Sequence, residues 1–150
     1  MDDSVTLTIP IEPKPKLRPR FHIRNERIST STPLKTKAFE SYVADYYSFN
    51  CGVKFEKEIP LNVQILFGMP IPESFSKKKK LACIVGDIRH VKKPDLDNLT
   101  KSVLDALNNV AWNDDAQIVS LNISKGYSKL PHIEIKITAD IAGSVGNEDG

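Results

Sequence analysis

The chain has 150 residues, a length typical of one folded domain, and its fractions of charged (27%) and hydrophobic (40%) residues are those of an ordinary globular protein. No apolar run approaches the roughly 18 residues of a membrane span, and the N-terminus lacks the basic and apolar regions of a secretory signal. Cys51 and Cys83 lack metal-site spacing and suit a reducing compartment. We therefore expect a cytoplasmic protein with no membrane partner.

The formal net charge of +2 hides an asymmetry between two parts of the chain. Residues 1–93 contain 17 Lys and Arg against 10 Asp and Glu, whereas residues 94–150 contain 4 against 9. This distribution is typical of a protein whose basic part binds a polyanion and whose acidic part binds a metal ion next to it. The asymmetry by itself does not identify the polyanion as nucleic acid.

The N-terminal segment is expected to form a strand followed by a basic, irregular stretch. Alternating apolar residues from Val5 to Ile11 predict the strand. Pro13, Pro15 and Pro19 then disfavour regular structure. Basic side chains spaced by these prolines suit phosphate contacts, and a solvated arm is the alternative interpretation. The candidates for phosphate contact are Lys14, Lys16, Arg18, Arg20 and Arg24.

A helix is predicted after Thr32 and Pro33, because a capping residue followed by proline is typical of a helix start. Lys35 and Lys37 lie in its first turn, where the helix dipole disfavours positive charge. That placement indicates a role in holding phosphate. The tyrosine-rich apolar stripe of this helix suits either the core or a dimer contact.

A second strand is predicted over residues 61–69, where apolar and polar residues alternate. Ser74 is then expected to cap a short helix that contains four successive lysines, Lys77 to Lys80. Four successive residues cannot share one helix face, so these lysines indicate a general electrostatic surface rather than one specific contact.

Residues 93–119 form the most informative stretch, in which two acidic pairs flank a predicted helix. Asp95 and Asp97 open the helix, and Asp114 and Asp115 follow its end. Clustered carboxylates repel one another unless something compensates them, and a hard cation such as Mg²⁺ is the natural compensator. The alternative is structural: an N-cap at the start of the helix and a polar turn after it.

The ends of this helix are also predicted. Asp97 or Asn98 is expected to cap its N-terminus, since short polar side chains accept from free backbone N–H groups. Asn108 and Asn109 are expected to close it, because Asn tolerates the left-handed conformation.

Two strands are predicted after the helix, one with Val119, Leu121 and Ile123 and one over residues 133–137. Their short connection predicts an antiparallel hairpin. From residue 139 small and polar residues predominate, so we expect a domain of residues 1–138 and a disordered tail of residues 139–150. The predicted fold class is mixed α/β (α+β): a single domain with a small mixed sheet, a C-terminal antiparallel hairpin and two main helices.

The chain carries P-D-L-D-N-L-T-K at 94–101, D-A-L at 105–107 and D-D-A-Q at 114–117. These motifs resemble the signature of the RusA family of Holliday junction resolvases, P-D-x-D-N-L-x-K followed by D-A-L and D-D-x-Q. Upstream, K-x-R-P-R-F and T-P-x-K-T-x-x-[FY]-E resemble its longer Gram-positive and phage branch, so the resemblance covers roughly residues 5–138. Asn109 departs from the glycine that relatives often have there, but suits the same backbone conformation. The resemblance implies a RusA-like fold, hydrolysis of DNA phosphodiester bonds and Mg²⁺ as cofactor, with Mn²⁺ as a substitute.

Helix geometry separates the five carboxylates of residues 93–119 into expected metal ligands and one residue with another role. At about 1.5 Å per residue, Asp105 lies about 12 Å along the helix from Asp97, so the two are not expected to share an ion. We expect Asp105 to pair with Lys101 at i, i+4 and to orient it. The expected metal ligands are Asp95, Asp97 and either Asp114 or Asp115.

The choice between the last two depends on where the third strand begins. If it is extended from residue 115, Asp115 shares the apolar face that the helix is expected to cover, and Asp114 faces away. The resemblance also points to Asp115. The expected catalytic residues are therefore Asp95, Asp97, Lys101 and Asp115, with Asp105 and Asp114 in supporting positions. Lys101 is expected to steady transition-state charge or to position the attacking water.

Lys92 and Lys93, just before the acidic site, complete the expected DNA-contacting set. A four-way junction has two opposed strands to cut and near two-fold symmetry, whereas each chain has one site, so we expect a homodimer. The predicted function is paired cleavage of Holliday junctions. Two alternatives stay open: a metal-dependent nuclease for flaps or forks, and a non-catalytic basic DNA-binding protein whose acidic helix is structural.

Overall fold

The computed structural model describes residues 3–17, 20–24, 27–31 and 33–140. Within these ranges it contains a four-stranded sheet, a two-stranded ribbon and three helices, which confirms the predicted single α+β domain. The elements in chain order are β1 Ser4–Ile9, β2 Arg20–Arg24, β3 Arg27–Ser31, α1 Leu34–Asn50, β4 Leu61–Pro70, α2 Lys77–Ile84, α3 Leu96–Leu107, a 3₁₀ turn Asp115–Gln117, β5 Ile118–Ser128 and β6 His132–Ala139.

The sheet has the strand order β1-β6-β4-β5, so the predicted C-terminal hairpin is wrong. β4 lies between β5 and β6, parallel to the first and antiparallel to the second. The physical reason is burial. β4 and β6 alternate buried apolar side chains along their length, whereas β5 exposes Val119 and Leu121. The two most apolar strands pair at the centre, and β5 is left at the edge.

α1 and α3 contribute the helical side of a core that contains the apolar face of the sheet. β4 contributes five buried side chains that alternate along the strand, Leu61, Val63, Ile65, Phe67 and Met69. Those of β6 are Ile133, Ile135 and Ile137, and the helices add Phe39, Val43, Tyr47, Leu99, Val103, Ala106 and Leu107. Polar residues such as Gln64, Asn122 and Lys136 line a shallow groove formed by the strands.

The helix starts differ from the sequence expectations in detail. α1 begins at Leu34 with Pro33 in the N-cap position, and Thr32 lies outside the described residues. Ser76, not Ser74, caps α2 by accepting from the Lys79 N–H at 3.2 Å. Since Oγ satisfies an otherwise free N–H of the first turn, the cap belongs directly before the first helical residue.

α3 begins at Leu96, so the N-cap position belongs to Asp95 rather than to Asp97 or Asn98. At its other end Asn108 is the C-cap and Asn109 has φ 65°, the left-handed conformation predicted for it. The Asn108 side chain accepts from Nε1 of the buried Trp112 at 2.7 Å, which fixes the turn after the helix.

Two segments extend beyond the predicted elements. The backbone of β2 and β3 forms an antiparallel ribbon where no regular structure was expected, paired from Arg20–Ser31 to Arg24–Arg27. β6 continues to Ala139, and the Asp140 N–H donates to the Pro60 carbonyl at 2.8 Å. The rest of the segment expected as a tail, residues 141–150, lies outside the described residues. None of the described helices is long and apolar enough to cross a membrane.

Candidate active site

The first turn of α3 presents two exposed carboxylates. Asp95 has the extended backbone of an N-cap, and Asp97 follows in the first turn. The free backbone N–H groups and the helix dipole stabilise negative charge at this end of a helix. The Asp95 carboxylate lies 2.9 Å from the Lys93 ammonium, and the Asn98 N–H donates to Asp97 Oδ1 at 2.9 Å. Both side chains are open to solvent and to a large substrate.

Lys125, which the sequence analysis did not single out, holds the chain that leads into α3. From β5 its ammonium donates to the carbonyls of Lys92 at 2.7 Å and Pro94 at 2.9 Å. These two bonds fix the backbone next to Asp95 without neutralising its carboxylate. A lysine in the middle of a strand is the only sequence signal for this role, because the strand's neighbours are not readable from the pattern.

Asp105 pairs with Lys101 as expected, but it lies closer to a second lysine, Lys16. Its carboxylate lies 3.2 Å from the Lys16 ammonium and 3.8 Å from that of Lys101. Lys16 also pairs with Glu40 of α1. Partial burial by itself lowers the pKa of Lys16, but hydrogen bonds to Glu40 and Asp105 outweigh it, so the pKa is raised above its ordinary value.

Lys101 is left largely free on the α3 surface, with its side chain 64% exposed. It lies one turn after Asp97, as the motif requires, so its charge is available near the acidic end of the helix. Its ammonium lies 3.8 Å from the Asp105 carboxylate, and an exposed pair of this kind is too weak to hold the side chain in one position.

The expected DNA-contacting residues divide into three groups. The side chains of Lys35, Lys37, Lys92 and Lys93 are exposed, and Lys93 pairs with Asp95. Lys14 is exposed and pairs with Glu12, whereas Lys16 is turned inward toward Glu40 and Asp105. Arg18 lies outside the described residues, and of Arg20 and Arg24 only the backbone in β2 is described.

The second acidic pair lies in the 3₁₀ turn before β5, where Asp114 and Gln117 form a reciprocal capping box. Asp114 accepts from the Ala116 N–H at 3.2 Å. Gln117 ends the D-D-A-Q motif, but its role was not predicted: its side-chain amide donates to the carbonyls of Glu56 at 2.9 Å and Ile59 at 3.1 Å. Asp114 therefore has a structural role, and the Asp115 carboxylate is not part of the box.

The register argument that favoured Asp115 is wrong, so the choice of Asp115 now rests on the family resemblance alone. β5 begins at Ile118, so Asp115 lies in the turn and not on a strand face. Val119 and Leu121 are 60% and 41% exposed, so that side of β5 is not covered by the helix.

One chain places the two acidic pairs near opposite ends of α3. Asp95 and Asp97 are at its N-terminus beside Lys125, whereas Asp115 follows its C-terminus at the start of β5. Lys125 contacts the backbone beside Asp95, and the extended residues from Ile118 to Lys125 span about 23 Å, so Asp115 lies far from that end. Among the described residues, no three His, Cys, Asp or Glu side chains are arranged to hold a metal ion.

His90 lines a groove of about 360 Å³ beside this end of α3, together with Lys14, Lys93 and Pro94. Burial, followed by the charge of Lys125, lowers the pKa of His90 below its ordinary value, so the ring is neutral at pH 7. Its ring lies edge-on to Tyr127 with centroids 5.0 Å apart. This contact packs the His90 ring against β5.

Residues 10–138 match the model of a family described as endodeoxyribonuclease RusA. The chain is also 38% identical over 136 residues to a protein of Bacillus subtilis (strain 168) described as uncharacterized protein YqaN. That alignment covers 90% of this chain and 96% of the relative. The family match includes α1, α3, both acidic pairs and β4 to β6.

Proposed function

Because the chain belongs to the RusA family of endodeoxyribonucleases, we propose that it resolves Holliday junctions by paired, Mg²⁺-dependent hydrolysis of phosphodiester bonds. The observation that carries the proposal is the exposed pair Asp95 and Asp97 at the positive end of α3. Junction DNA as substrate places the proposed activity in the cytoplasm, and two opposed cuts call for a homodimer.

The donor chemistry at α3 fits a hard cation. Mg²⁺ takes oxygen ligands and is typically bound by one or two carboxylates, with waters and substrate phosphate oxygens completing the shell. Asp95 and Asp97 would hold the ion, and Mn²⁺ would substitute for it. When bound, it would neutralise the non-bridging oxygens of the scissile phosphate.

Lysine side chains near the acidic end of α3 would bind the DNA and assist the reaction. Exposed Lys92 and Lys101 flank the acidic end of α3 along the chain and would attract the DNA backbone to it. Lys101 would stabilise charge that develops in the transition state. Lys93 has a partner in Asp95, and we propose that it exchanges this pair for a phosphate when DNA binds. Lys125 would keep the backbone of residues 92–94 in place.

We keep Asp115 as the third acidic residue that cleavage needs. Since one chain places it near the other end of α3, a shared ion would draw it from a second chain. Mixing inactive Asp97→Asn and Asp115→Asn proteins tests this, because each mixed dimer would then contain one fully wild-type site. Restored cleavage supports a site shared between chains, and a mixture as inactive as its components contradicts it.

Substrate choice separates the proposed function from its alternatives. The protein is expected to cut a synthetic four-way junction in the presence of Mg²⁺ and not with a chelator. It is expected to cut flaps and forks of the same sequence more slowly. Faster cutting of flaps or forks would favour the branched-DNA nuclease, and binding without cutting would favour the non-catalytic protein.

A further inference from the structure

The groove lined by His90, beside the acidic end of α3, takes no part in the chemistry proposed above. Its volume of about 360 Å³ is that of a small-molecule site. Its apolar lining comes from the stretch after β1, the end of β4 and the loop before α3. These apolar residues are Pro13, Pro15, Met69, Pro70 and Pro94. The rigid, apolar proline rings suit the flat face of a ring-shaped ligand.

The charged groups of the groove connect it to the proposed metal site. Lys14 and Lys93 belong to its lining and have exposed side chains. The Lys93 ammonium also lies 2.9 Å from the Asp95 carboxylate, so the groove is one side chain away from that residue. Glu12 is the acidic residue of the lining, and Lys14 pairs with it. A ligand that carries a phosphate would therefore meet positive charge between the groove and Asp95.

His90 supplies the groove with ring nitrogens. Its Nδ1 atom is buried and forms no hydrogen bond with another described residue. A buried polar atom without a partner is costly, and in native proteins such atoms are usually satisfied by water or a ligand. The ring is already positioned by its edge-on contact with Tyr127, at a centroid distance of 5.0 Å. His90 is thus a hydrogen-bonding group held in place with bonding capacity to spare.

Hydrogen bonds from neighbouring elements fix the walls of the groove. Lys125 of β5 donates to the Pro94 carbonyl at 2.9 Å, which holds the loop before α3. Ser102 Oγ of α3 donates to the Lys14 carbonyl at 2.7 Å, which holds the stretch after β1. Both walls are therefore formed before a ligand arrives, as is usual for sites that bind small groups.

This combination matches a nucleobase that is still attached to its DNA strand. A base has two apolar faces for the proline walls and a polar edge for His90, and its phosphate suits Lys14 and Lys93. Enzymes that act on nucleic acids take bases out of the stack into pockets of this kind, and the cost is least where pairing is already disturbed. The point of strand exchange in a four-way junction is such a place.

We propose that this groove receives one unstacked base next to the scissile phosphate, and that His90 selects which base is accepted. The proposal rests on the proposed function and adds to it a base preference at the cut. Groove and metal site are neighbours along the chain, so the base read and the bond cut belong to the same strand.

The first test detects the unstacked base without cleavage. Wild-type protein is mixed, in the presence of a chelator, with a four-way junction that carries 2-aminopurine, which fluoresces more strongly when it leaves the stack. Fluorescence is expected to rise severalfold on binding when the probe is at one of the positions flanking the exchange point. The control has the probe in the middle of an arm and is expected to show no rise. Binding without a rise at any flanking position overturns the proposal.

The second test maps the cut sites in a junction whose exchange point migrates through varied sequence, with Mg²⁺ present. The wild type is expected to prefer one base beside the cut by about fivefold or more, as a hydrogen-bonded base contact does. His90→Phe keeps a ring against Tyr127 and removes both nitrogens, so it is expected to cut with that preference lost. Lys92→Met is the matched control: its exposed side chain lies outside the groove lining, and its loss is expected to slow cutting equally at all sequences.

The outcomes separate this proposal from the proposed function. A wild type with no base preference, or a His90→Phe protein that keeps the wild-type preference, overturns the role of His90. A purely structural His90 would lower cutting at every site by one factor, and that result overturns it too. A wild type that shows the fluorescence rise but cuts nothing contradicts the proposed function and supports the base site, whereas cutting without any rise does the reverse.

Discussion

Two lysines, Lys16 and Lys101, lie near the Asp105 carboxylate of α3, and only one of them is held closely. Asp105 lies closer to Lys16, at 3.2 Å, than to Lys101, at 3.8 Å. Lys16 is thereby held within the fold, and Lys101 stays exposed on the surface that carries Asp97. Because Lys16 is the closer partner of Asp105, Lys101 is not needed to hold that carboxylate and is free to act on a bound substrate.

Lys101→Ala is expected to lower the cleavage rate by on the order of 10²–10³-fold, as loss of a transition-state charge does elsewhere. DNA affinity is expected to change little, because the interaction is made mainly in the transition state. Single-turnover cleavage at saturating Mg²⁺, together with a binding curve, measures both quantities.

Lys101→Arg is the matched control, since it keeps the charge and changes its shape and reach. It is expected to bind like the wild type and to recover only part of the rate. The exposed pair with Asp105 contributes about 0.3–0.5 kcal/mol at most. A Lys101→Ala protein that cuts within about threefold of the wild-type rate would remove this residue from the mechanism.

At the scale of elements, the segment 11–17 is tied to both α1 and α3. The Lys16 N–H donates to the Asn98 carbonyl at 3.2 Å, and Ser102 Oγ donates to the Lys14 carbonyl at 2.7 Å. The Lys16 ammonium joins Glu40 of α1 to Asp105 of α3. The sequence analysis interpreted this lysine as a DNA contact, because the pattern shows its charge but not the carboxylates that the fold brings to it.

Lys16→Met is expected to lower the free energy of unfolding by about 1.5–3 kcal/mol, the usual contribution of a hydrogen bond to a charged group. In a domain of this size each kcal/mol lowers the melting temperature by about 2–4 °C, which thermal denaturation resolves. Lys14→Met is the control, because among the described residues its exposed ammonium pairs with the nearby Glu12 alone, and its loss is expected to cost under about 1 kcal/mol.

The pH dependence of this difference has a definite sign. The pKa of Lys16 is raised in the folded protein above its ordinary 10.5, so its stabilising effect is fully present below pH 10.5. The effect is lost as pH rises through the folded-state pKa. The melting temperatures of wild type and Lys16→Met are therefore expected to converge only in strong alkali. Equal stability of the two proteins at pH 7 would contradict the role of Lys16.

The elements that could be predicted from sequence are those with a strong local signal. α3 combines apolar residues at helical spacing with Asn at its C-terminus, and Asn109 adopts the left-handed conformation expected of it. The alternation of β4 predicts a buried strand wherever its neighbours lie. These signals depend only on the residues themselves.

The features that could not be predicted depend on which elements become neighbours. β5 and β6 are separated by a short turn, yet β4 lies between them, because central positions favour the strands with the most apolar faces. The roles of Lys125 and Gln117 likewise arise from carbonyls that are far away in sequence. Asp115 was assigned to a strand face because the spacing of Asp114 and Gln117, which is that of a capping box, was not interpreted as the start of a 3₁₀ turn.

At the scale of the whole molecule, the acidic end of α3 lies within a chain of net charge +2. Residues 1–93 contribute most of the basic side chains, and those of Lys35, Lys37 and Lys92 are exposed. A basic surface would bind DNA of many shapes through its phosphates, whereas two sites in a symmetric dimer would select a substrate with two opposed strands. In the proposed dimer, the basic surface would therefore supply the affinity for DNA, and the arrangement of the two sites would supply the selectivity for junctions.

The central claim is that Asp95 and Asp97 form the site of a metal-dependent junction nuclease. The most direct measurement is cleavage of a synthetic four-way junction by the wild type, Asp95→Asn and Asp97→Asn, with binding to the same junction measured in parallel. Both variants are expected to lose cleavage while binding the junction as tightly as the wild type or more tightly, since each removes a negative charge beside DNA. Cleavage near the wild-type rate by both variants, with Mg²⁺ saturating, would contradict the claim.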